Sequence, residues 1–312
     1  MRYRAPVPAD APAVLAVFEA REIADLGEVE QTLEELRDEW HNSDLDLERD
    51  AQVVEDAEGR ILAYAAVRRP GAVVVVAPER EGRGVGARLL KWTESRERDR
   101  GSELHRQWVA ATNASARSLL TRSGYRRARS YSRMVVALEG LPACADPPAG
   151  FVLRPVDPAC DAVALHAVDA ASFAPAPDYV PESLHEFTRE HLGAHDFDPG
   201  LSRVVTESDT IVGFLLAGRR PAERVGHVHI LAVAPGRQDR GLGTAMLQSA
   251  FAAFARAGVR EVRLGVASYN PRALHVYERL GMRERLRFDI YERPVGPAPR
   301  VQRGAFGPGT GQ

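Results

Sequence analysis

The chain has 312 residues, 41 basic against 43 acidic side chains, and a formal net charge of −2. With 45% hydrophobic and 27% charged residues it reads as a globular protein with room for two domains, each burying its own core. That balance excludes bulk attraction to nucleic acid, and no apolar run is long enough to cross a bilayer.

Tyr3 and Arg4 end a first strand, and a helix begins near Asp10 as its cap, with Val14, Leu15, Val17 and Phe18 on its apolar face. Helical period continues over 32–40 (Leu33, Leu36, Trp40), and a loop spans 41–50. Strands are expected at 52–55, 60–68 and 72–77, a helix at 86–100, a strand at 107–111, a short helix at 114–121 and a strand at 132–138. The Arg126, Arg127, Arg129 and Arg133 cluster fits a solvated face or an anion contact better than an RNA site. Residues 141–150, opened by Gly140, form a Pro-rich linker. The order then restarts, with a strand at 151–154 and helical stretches at 161–171 and 182–191. Strands at 202–207, 211–217 and 225–233 follow, then helix 243–257, strand 261–266, helix 271–280 and strand 287–292. Residues 294–312, rich in Gly and Pro, are expected to be disordered. The two cysteines, Cys144 in the linker and Cys160 near a helix start, have no metal-like spacing; a disulfide between them is open but not required. Without an apolar leader at the N-terminus, a reducing cytoplasm is the simpler expectation.

The residues from Val233 to Met246 (Val-Ala-Pro-Gly-Arg-Gln-Asp-Arg-Gly-Leu-Gly-Thr-Ala-Met) run from an apolar strand through a turn into a helix. Gly241 and Gly243 stand where that helix begins, so a ligand can approach the backbone closely. The first-turn N–H groups have no partner within the helix and carry its positive dipole end, a combination suited to a phosphate.

A second copy lies earlier. Glu81-Gly82-Arg83-Gly84-Val85-Gly86-Ala87 also follows an apolar run and a proline, at an offset of 241 − 84 = 157. The same offset pairs Asn113 with Asn270, Ala116 with Ala273 and Gly124 with Gly281. The chain is a duplication of one unit.

Gln238-x-x-Gly241-x-Gly243, followed by Asn270-Pro-x-Ala273-x-x-x-Tyr277-x-x-x-Gly281-Met282, resembles the acetyl-coenzyme A site of the GNAT-type N-acetyltransferases. The whole chain resembles their tandem, mycothiol synthase-like members. The resemblance implies an α/β fold of two tandem GNAT-type domains, each a mixed, mostly antiparallel central sheet flanked by helices. The domains span 1–140 and 151–293. It also implies that the strand before the phosphate loop splays from its neighbour, so that the pantetheine arm lies in the V between them.

By the same resemblance, acetyl-coenzyme A is the co-substrate and a small-molecule primary amine the acceptor, with direct attack on the thioester. No metal, nucleic acid or membrane is implied, and the oligomeric state stays open, a monomer being compatible. Cofactor contacts fall on Leu231, Val233, Gln238, Asp239, Arg240, Gly241, Leu242, Gly243, Thr244, Asn270 and Ala273. Tyr277 takes the general-acid position, and a phenol of pKa about 10 serves a departing thiolate first by hydrogen bonding. His227 stands where many members carry a glutamate base, with His229 behind it and both sharing a face with Leu231 at period two. The acceptor pocket falls on 173–179 and 191–197.

The first half breaks the pattern. Leu120 occupies the position of Tyr277, and Glu81 that of Gln238, so this half is expected to be catalytically degenerate. Whether it keeps a cofactor loop at Val76, Arg83, Gly84, Val85, Gly86 and Ala87 stays open. A non-catalytic acyl-coenzyme A sensor is the competing reading, which Tyr277 opposes. A dinucleotide-binding oxidoreductase fails because each turn lies mid-domain and lacks the third small residue.

Overall fold

The computed structural model describes residues 1–296 apart from 43, 70, 141–145, 178 and 221–222. Cys144, the centre of the linker and the tail from 297 lie outside the described residues; Cys160 is exposed and unbridged. The first half runs β1 (Arg2–Arg4), α1 (Ala11–Leu26), α2 (Leu33–His41), the single turn α3 (Leu47–Asp50), β2 (Ala51–Glu55), β3 (Ile61–Arg68), β4 (Gly71–Val76), α4 (Val85–Asp99), β5 (Leu104–Ala110), α5 (Ala114–Arg122) and β6 (Arg126–Ala137). The second half repeats this order as β7 (Phe151–Pro155), α6 (Pro158–Phe173), α7 (Leu184–Phe187), β8 (Arg203–Glu207), β9 (Thr210–Arg220), β10 (Val225–Val233), α8 (Leu242–Arg256), β11 (Glu261–Ala267), α9 (Pro271–Arg279) and β12 (Arg283–Pro294).

Local chemistry explains most boundaries. Thr32 and Glu35 form a reciprocal capping box at the start of α2. Asp10 does not cap α1; its carboxylate accepts from the Val7 amide (2.8 Å) and from Arg4 (2.6 Å), which fixes the entry to the helix instead. Strand β6 begins six residues earlier than its apolar pattern suggests, because its arginines find acidic partners. Arg129 pairs with Glu292 of β12 and Arg133 with Glu30, each at 3.0 Å. Arg129, with Arg127 lying 3.7 Å from Asp289, thus ties the two halves together, while Arg133 and Glu30 both belong to the first. The C-terminal segment also packs further than expected. Val295 is buried, its amide donates to the Glu103 carbonyl (2.9 Å), and its carbonyl accepts from Arg98 Nε (2.9 Å).

The mixed, mostly antiparallel sheets of the two halves are continuous. The twelve strands of the described residues form one sheet in the order β1-β2-β3-β4-β5-β12-β6-β11-β10-β9-β8-β7. The last strand of each half therefore completes the other: β12 pairs with β5, and β6 pairs with β11. β6 and β12 pair with each other, with Tyr131 opposite Phe288. Since 131 + 157 = 288, equivalent residues of the two copies face each other, and a pseudo-twofold axis passes through this pair.

The sheet has two covered faces. On one, Met246, Leu247, Phe251 and Phe254 of α8 pack against Leu215, Ala217, Val228, Leu264 and Val266. On the other, Leu165, Val168 and Phe187 of α6 and α7 pack against Phe214, Leu216 and Ala232. At about 25 cal/mol per Å² of apolar surface, such two-sided burial is the main force joining helices to sheet. No helix among the described residues is long and apolar enough to cross a membrane.

Candidate active site

β10 and β11 pair in parallel only over Val225–Val228 and Glu261–Leu264. Beyond that point β10 carries a bulge between Val228 and Ile230 in its pairing with β9, and the two strands separate. A cleft of about 1160 Å³ opens there, walled by Leu231, Ala232 and Val233 on one side and Gly265, Val266 and Ala267 on the other. It passes through the sheet. The start of α8 and Tyr277 line it from one face, and Asp169, Phe173, Tyr179, Glu182 and His191 line it from the other.

The turn before α8 has the geometry that an anion site needs. Gly241 is the N-cap, with φ 78°, a left-handed conformation that costs an L-residue roughly 1–2 kcal/mol. A Cβ on Gly243 would meet nothing nearer than Leu231 at 3.9 Å, so its bare Cα leaves open space at the helix end. The loop is stapled by side chains: Gln238 Nε2 donates to the Val233 carbonyl (3.0 Å), and Arg272 donates to Gln238 Oε1 (2.8 Å). Arg272 also ion-pairs with Asp239. Of the expected cofactor contacts, Leu231, Val233, Gln238, Asp239, Gly241, Leu242, Gly243, Thr244, Asn270 and Ala273 all line the cleft. Arg240 does not; its guanidinium lies 3.6 Å from Glu207 and over the Phe151 ring.

Tyr277 lines the cleft from α9 and is 6% exposed. Burial alone pushes its phenol up to about 12, so it stays protonated and able to donate a hydrogen bond, but is a poorer proton source than a free tyrosine.

The two histidines of β10 are separated by the bulge. His227 precedes it and is buried, 8% exposed, with Nε2 unpartnered among the described residues. Burial first, then the neighbouring Arg220, lowers its imidazole to about 3, so it is neutral at physiological pH and does not line the cleft. The extra residue inverts the alternation, so His227 and Leu231 face opposite sides; the shared face expected from period two is absent. His229 sits at the bulge and lines the cleft, with Nε2 3.1 Å from Asp196 Oδ2. Asp196 is held over β9 at Gly218, where any Cβ would run into the Asp196 carbonyl. Burial raises the Asp196 carboxyl, but the His229 hydrogen bond opposes it, and the carboxyl lies below the usual range.

The acceptor side departs from expectation. Phe173, Pro175, Ala176, Pro177 and Tyr179 line the cleft as expected, but from 191–197 only His191 does so. Asp169 was not singled out from sequence, although it is a carboxylate in the interior of a mostly apolar helix. Burial drives its pKa up to about 6 against the opposing pull of His191. Asn42, Asp44, Arg68, Arg69 and Tyr131 of the first half also reach this wall.

The matching place in the first half is spanned by side-chain pairs of its own. Gly84 keeps the left-handed cap (φ 80°), and α4 follows it. Arg21 of α1 pairs with Glu81 and with Asp25 (2.6 Å), and Asp25 accepts from Asn113 Nδ2 (2.8 Å). Leu120 packs with Leu90, Tyr125 and Tyr291. Val76, Arg83, Gly84, Val85, Gly86 and Ala87 do not line the cleft described above.

Two segments of the chain, 17–125 and 167–282, match the acetyltransferase (GNAT) family. The chain belongs to that family. Among curated GNAT relatives it is 32% identical over 216 residues to a mycothiol acetyltransferase of Renibacterium salmoninarum, covering 67% of this chain and 62% of that one. It is also 32% identical over 227 residues to the mycothiol acetyltransferase of Actinosynnema mirum, covering 72% of each. A GCN5-related N-acetyltransferase structure from Sphaerobacter thermophilus superposes with a TM-score of 0.80 at 28% identity, over 95% of this chain and 96% of that one. A tandem GNAT protein from the clavulanic acid biosynthesis pathway shares the fold at a TM-score of 0.73 and 17% identity, covering 95% and 99%. This chain is accordingly a tandem GNAT acetyltransferase, in a family whose donor is acetyl-coenzyme A.

Proposed function

We propose that the second half transfers an acetyl group from acetyl-coenzyme A to the primary amine of a small molecule, and that the first half neither binds donor nor catalyses. The cleft through the sheet carries this reading, because it brings a phosphate cradle, Tyr277 and His229 to one passage with two mouths. The cradle amides and Tyr277 belong to the α8 and α9 side, so donor fills that side and the amine arrives from the α6 and α7 side. The phosphates accept from the amides of 238–244. The thioester end then lies beside Tyr277.

His229 is the base. Its Nε2–H donates to Asp196, which fixes the tautomer and leaves Nδ1 to take the proton of the attacking ammonium. For an amine of pKa about 8, deprotonation at pH 7 costs only about 1.4 kcal/mol. Attack on the carbonyl forms the C–N bond, and collapse breaks the C–S bond. Full transfer of the Tyr277 proton to a thiolate of pKa about 8.5 is uphill by about (12 − 8.5) × 1.36, or roughly 4.8 kcal/mol. Tyr277 therefore stabilises the leaving sulfur by hydrogen bonding, and solvent completes protonation.

Similarity to the mycothiol acetyltransferases makes the cysteinyl amine of a cysteine–glucosamine–inositol thiol the first acceptor to test. In a thiol-release assay with acetyl-coenzyme A and a panel of amines, this acceptor is expected to turn over, and Tyr277→Phe to lower kcat by tenfold or more. KM for acetyl-coenzyme A should stay within about threefold. Full activity in Tyr277→Phe would overturn its role. Donor binding without turnover of any amine would favour a non-catalytic acyl-coenzyme A sensor.

A further inference from the structure

One face of α2, in the first half, is turned toward the segment that holds His229 in the second. Glu35, Asp38 and Asn42 follow one another at spacings of three and four, which puts them on one side of the helix and its C-cap. Each reaches across to the other half. Glu35 pairs with Arg220 at the end of β9, His195 Nδ1 donates to Asp38 Oδ2 (2.7 Å), and Asn42 Nδ2 donates to Glu190 Oε1 (3.1 Å).

The three partners bracket one stretch of chain. Thr188–Leu192 is a π-turn, closed by the Gly193 amide on the Thr188 carbonyl (2.9 Å). A Cβ on Gly193 would stand 2.7 Å from the Arg189 carbonyl, so only glycine turns the chain there. The chain then runs against the end of β9, where Phe197 bridges Gly218 and the Asp198 amide donates to the Ala217 carbonyl (2.9 Å). Glu190 lies in the π-turn, His195 precedes Asp196, and Arg220 stands two residues past Gly218. Between these contacts is Asp196, its side chain 7% exposed and its Oδ2 3.1 Å from His229 Nε2. Neither Glu35 nor Asp38 lines the cleft.

We propose that α2 is a brace supplied by the first half, and that Glu35 and Asp38 are positioning residues acting through Asp196 on His229. The inference rests on the acetyl-transfer reading above, with His229 as base, and gives a task to the half which that reading leaves without a reaction. An imidazole takes a proton only along its lone pair, so a displaced Asp196 turns the ring and misplaces Nδ1. α2 is itself anchored by buried Leu36 and Trp40, and its side chains tie the Asp196 segment to that packed body. Partly exposed pairs of this kind contribute modestly one at a time, so the two are tested together.

Glu35→Gln keeps the capping box of α2, and alanine suits the exposed helix position of Asp38. Initial rates are measured with acetyl-coenzyme A and the fastest amine of the panel above. Glu35→Gln/Asp38→Ala should lower kcat about tenfold, and Asp38→Ala alone about threefold, with KM for acetyl-coenzyme A within about twofold of wild type. Asp196→Ala should lose at least as much as the pair. Added to Asp196→Ala, the pair should cost less than about twofold more, because both act through one group; a purely structural role would multiply the losses. Should the pair lower thermal stability, Asp38→Ala alone is compared with Asp196→Ala in the same way. Unchanged kcat in the α2 variants, multiplied losses, or a raised KM for acetyl-coenzyme A would overturn the brace while leaving acetyl transfer intact. Wild-type kcat in Asp196→Ala would overturn the brace and the role of His229 together, and a wild type that acetylates no amine would overturn the whole reading.

Discussion

His227 and His229 are two residues apart yet do opposite things. The first is buried beside Arg220 and stays neutral; the second is held by Asp196 at the cleft wall. His229→Ala is expected to lower kcat at neutral pH by about 10²-fold and to recover activity as the pH rises and the amine deprotonates itself. His227→Gln should keep most of its activity; loss equal to that of His229→Ala would reverse the assignment. His227 instead governs acid stability together with His105, which is fully buried between Thr93 and Tyr125 and also lowered to about 3, chiefly by burial. Unfolded, both imidazoles titrate near 6.5, so the unfolded chain binds more protons below that pH. Stability is then complete above about pH 6.5 and is lost progressively toward pH 3. At pH 5 the loss is about (6.5 − 5) × 1.36, or roughly 2 kcal/mol per histidine. Urea unfolding at pH 7 and pH 5 measures it, and a stability unchanged over that range would contradict the burial argument.

β10 and α8 are the elements on which the proposed chemistry rests. β10 was legible from sequence to both of its ends, Val225 and Val233, and the phosphate turn from its glycines. The bulge was not legible, because it is set by pairing with β9 and leaves no mark on the hydrophobic pattern. That is why a period-two reading put His227 and Leu231 on one face. The acceptor wall was hidden for a similar reason: Asp44, Arg69 and Tyr131 belong to the other half of the chain and reach the cleft only through tertiary packing. The two glycines of the turn can now be told apart. Gly241→Ala forces an L-residue to φ 78° and should cost roughly 1–2 kcal/mol of stability. Gly243→Ala has room in the protein and should leave thermal stability unchanged while raising KM for acetyl-coenzyme A. Equal effects of the two substitutions on stability would remove this distinction.

Across the whole molecule, the exchange of β6 and β12 makes the halves interdependent. Copies of one repeat share one strand pattern, so sequence could not say that each final strand joins the opposite sheet. Buried Arg263 of β11 adds a second tie, pairing with Glu28 (3.2 Å) and Glu30 (2.6 Å) of the first half. Proteolytic nicking within 141–150 should therefore leave the two fragments together on a sizing column, and separation without denaturant would contradict the shared sheet. The strand exchange is symmetric, whereas the proposed function leaves only the second half to hold donor. Isothermal titration of the intact chain with acetyl-coenzyme A tests this most directly. The expected result is one site per chain, abolished by Gly243→Asp; two sites, or one that survives that substitution, would contradict it.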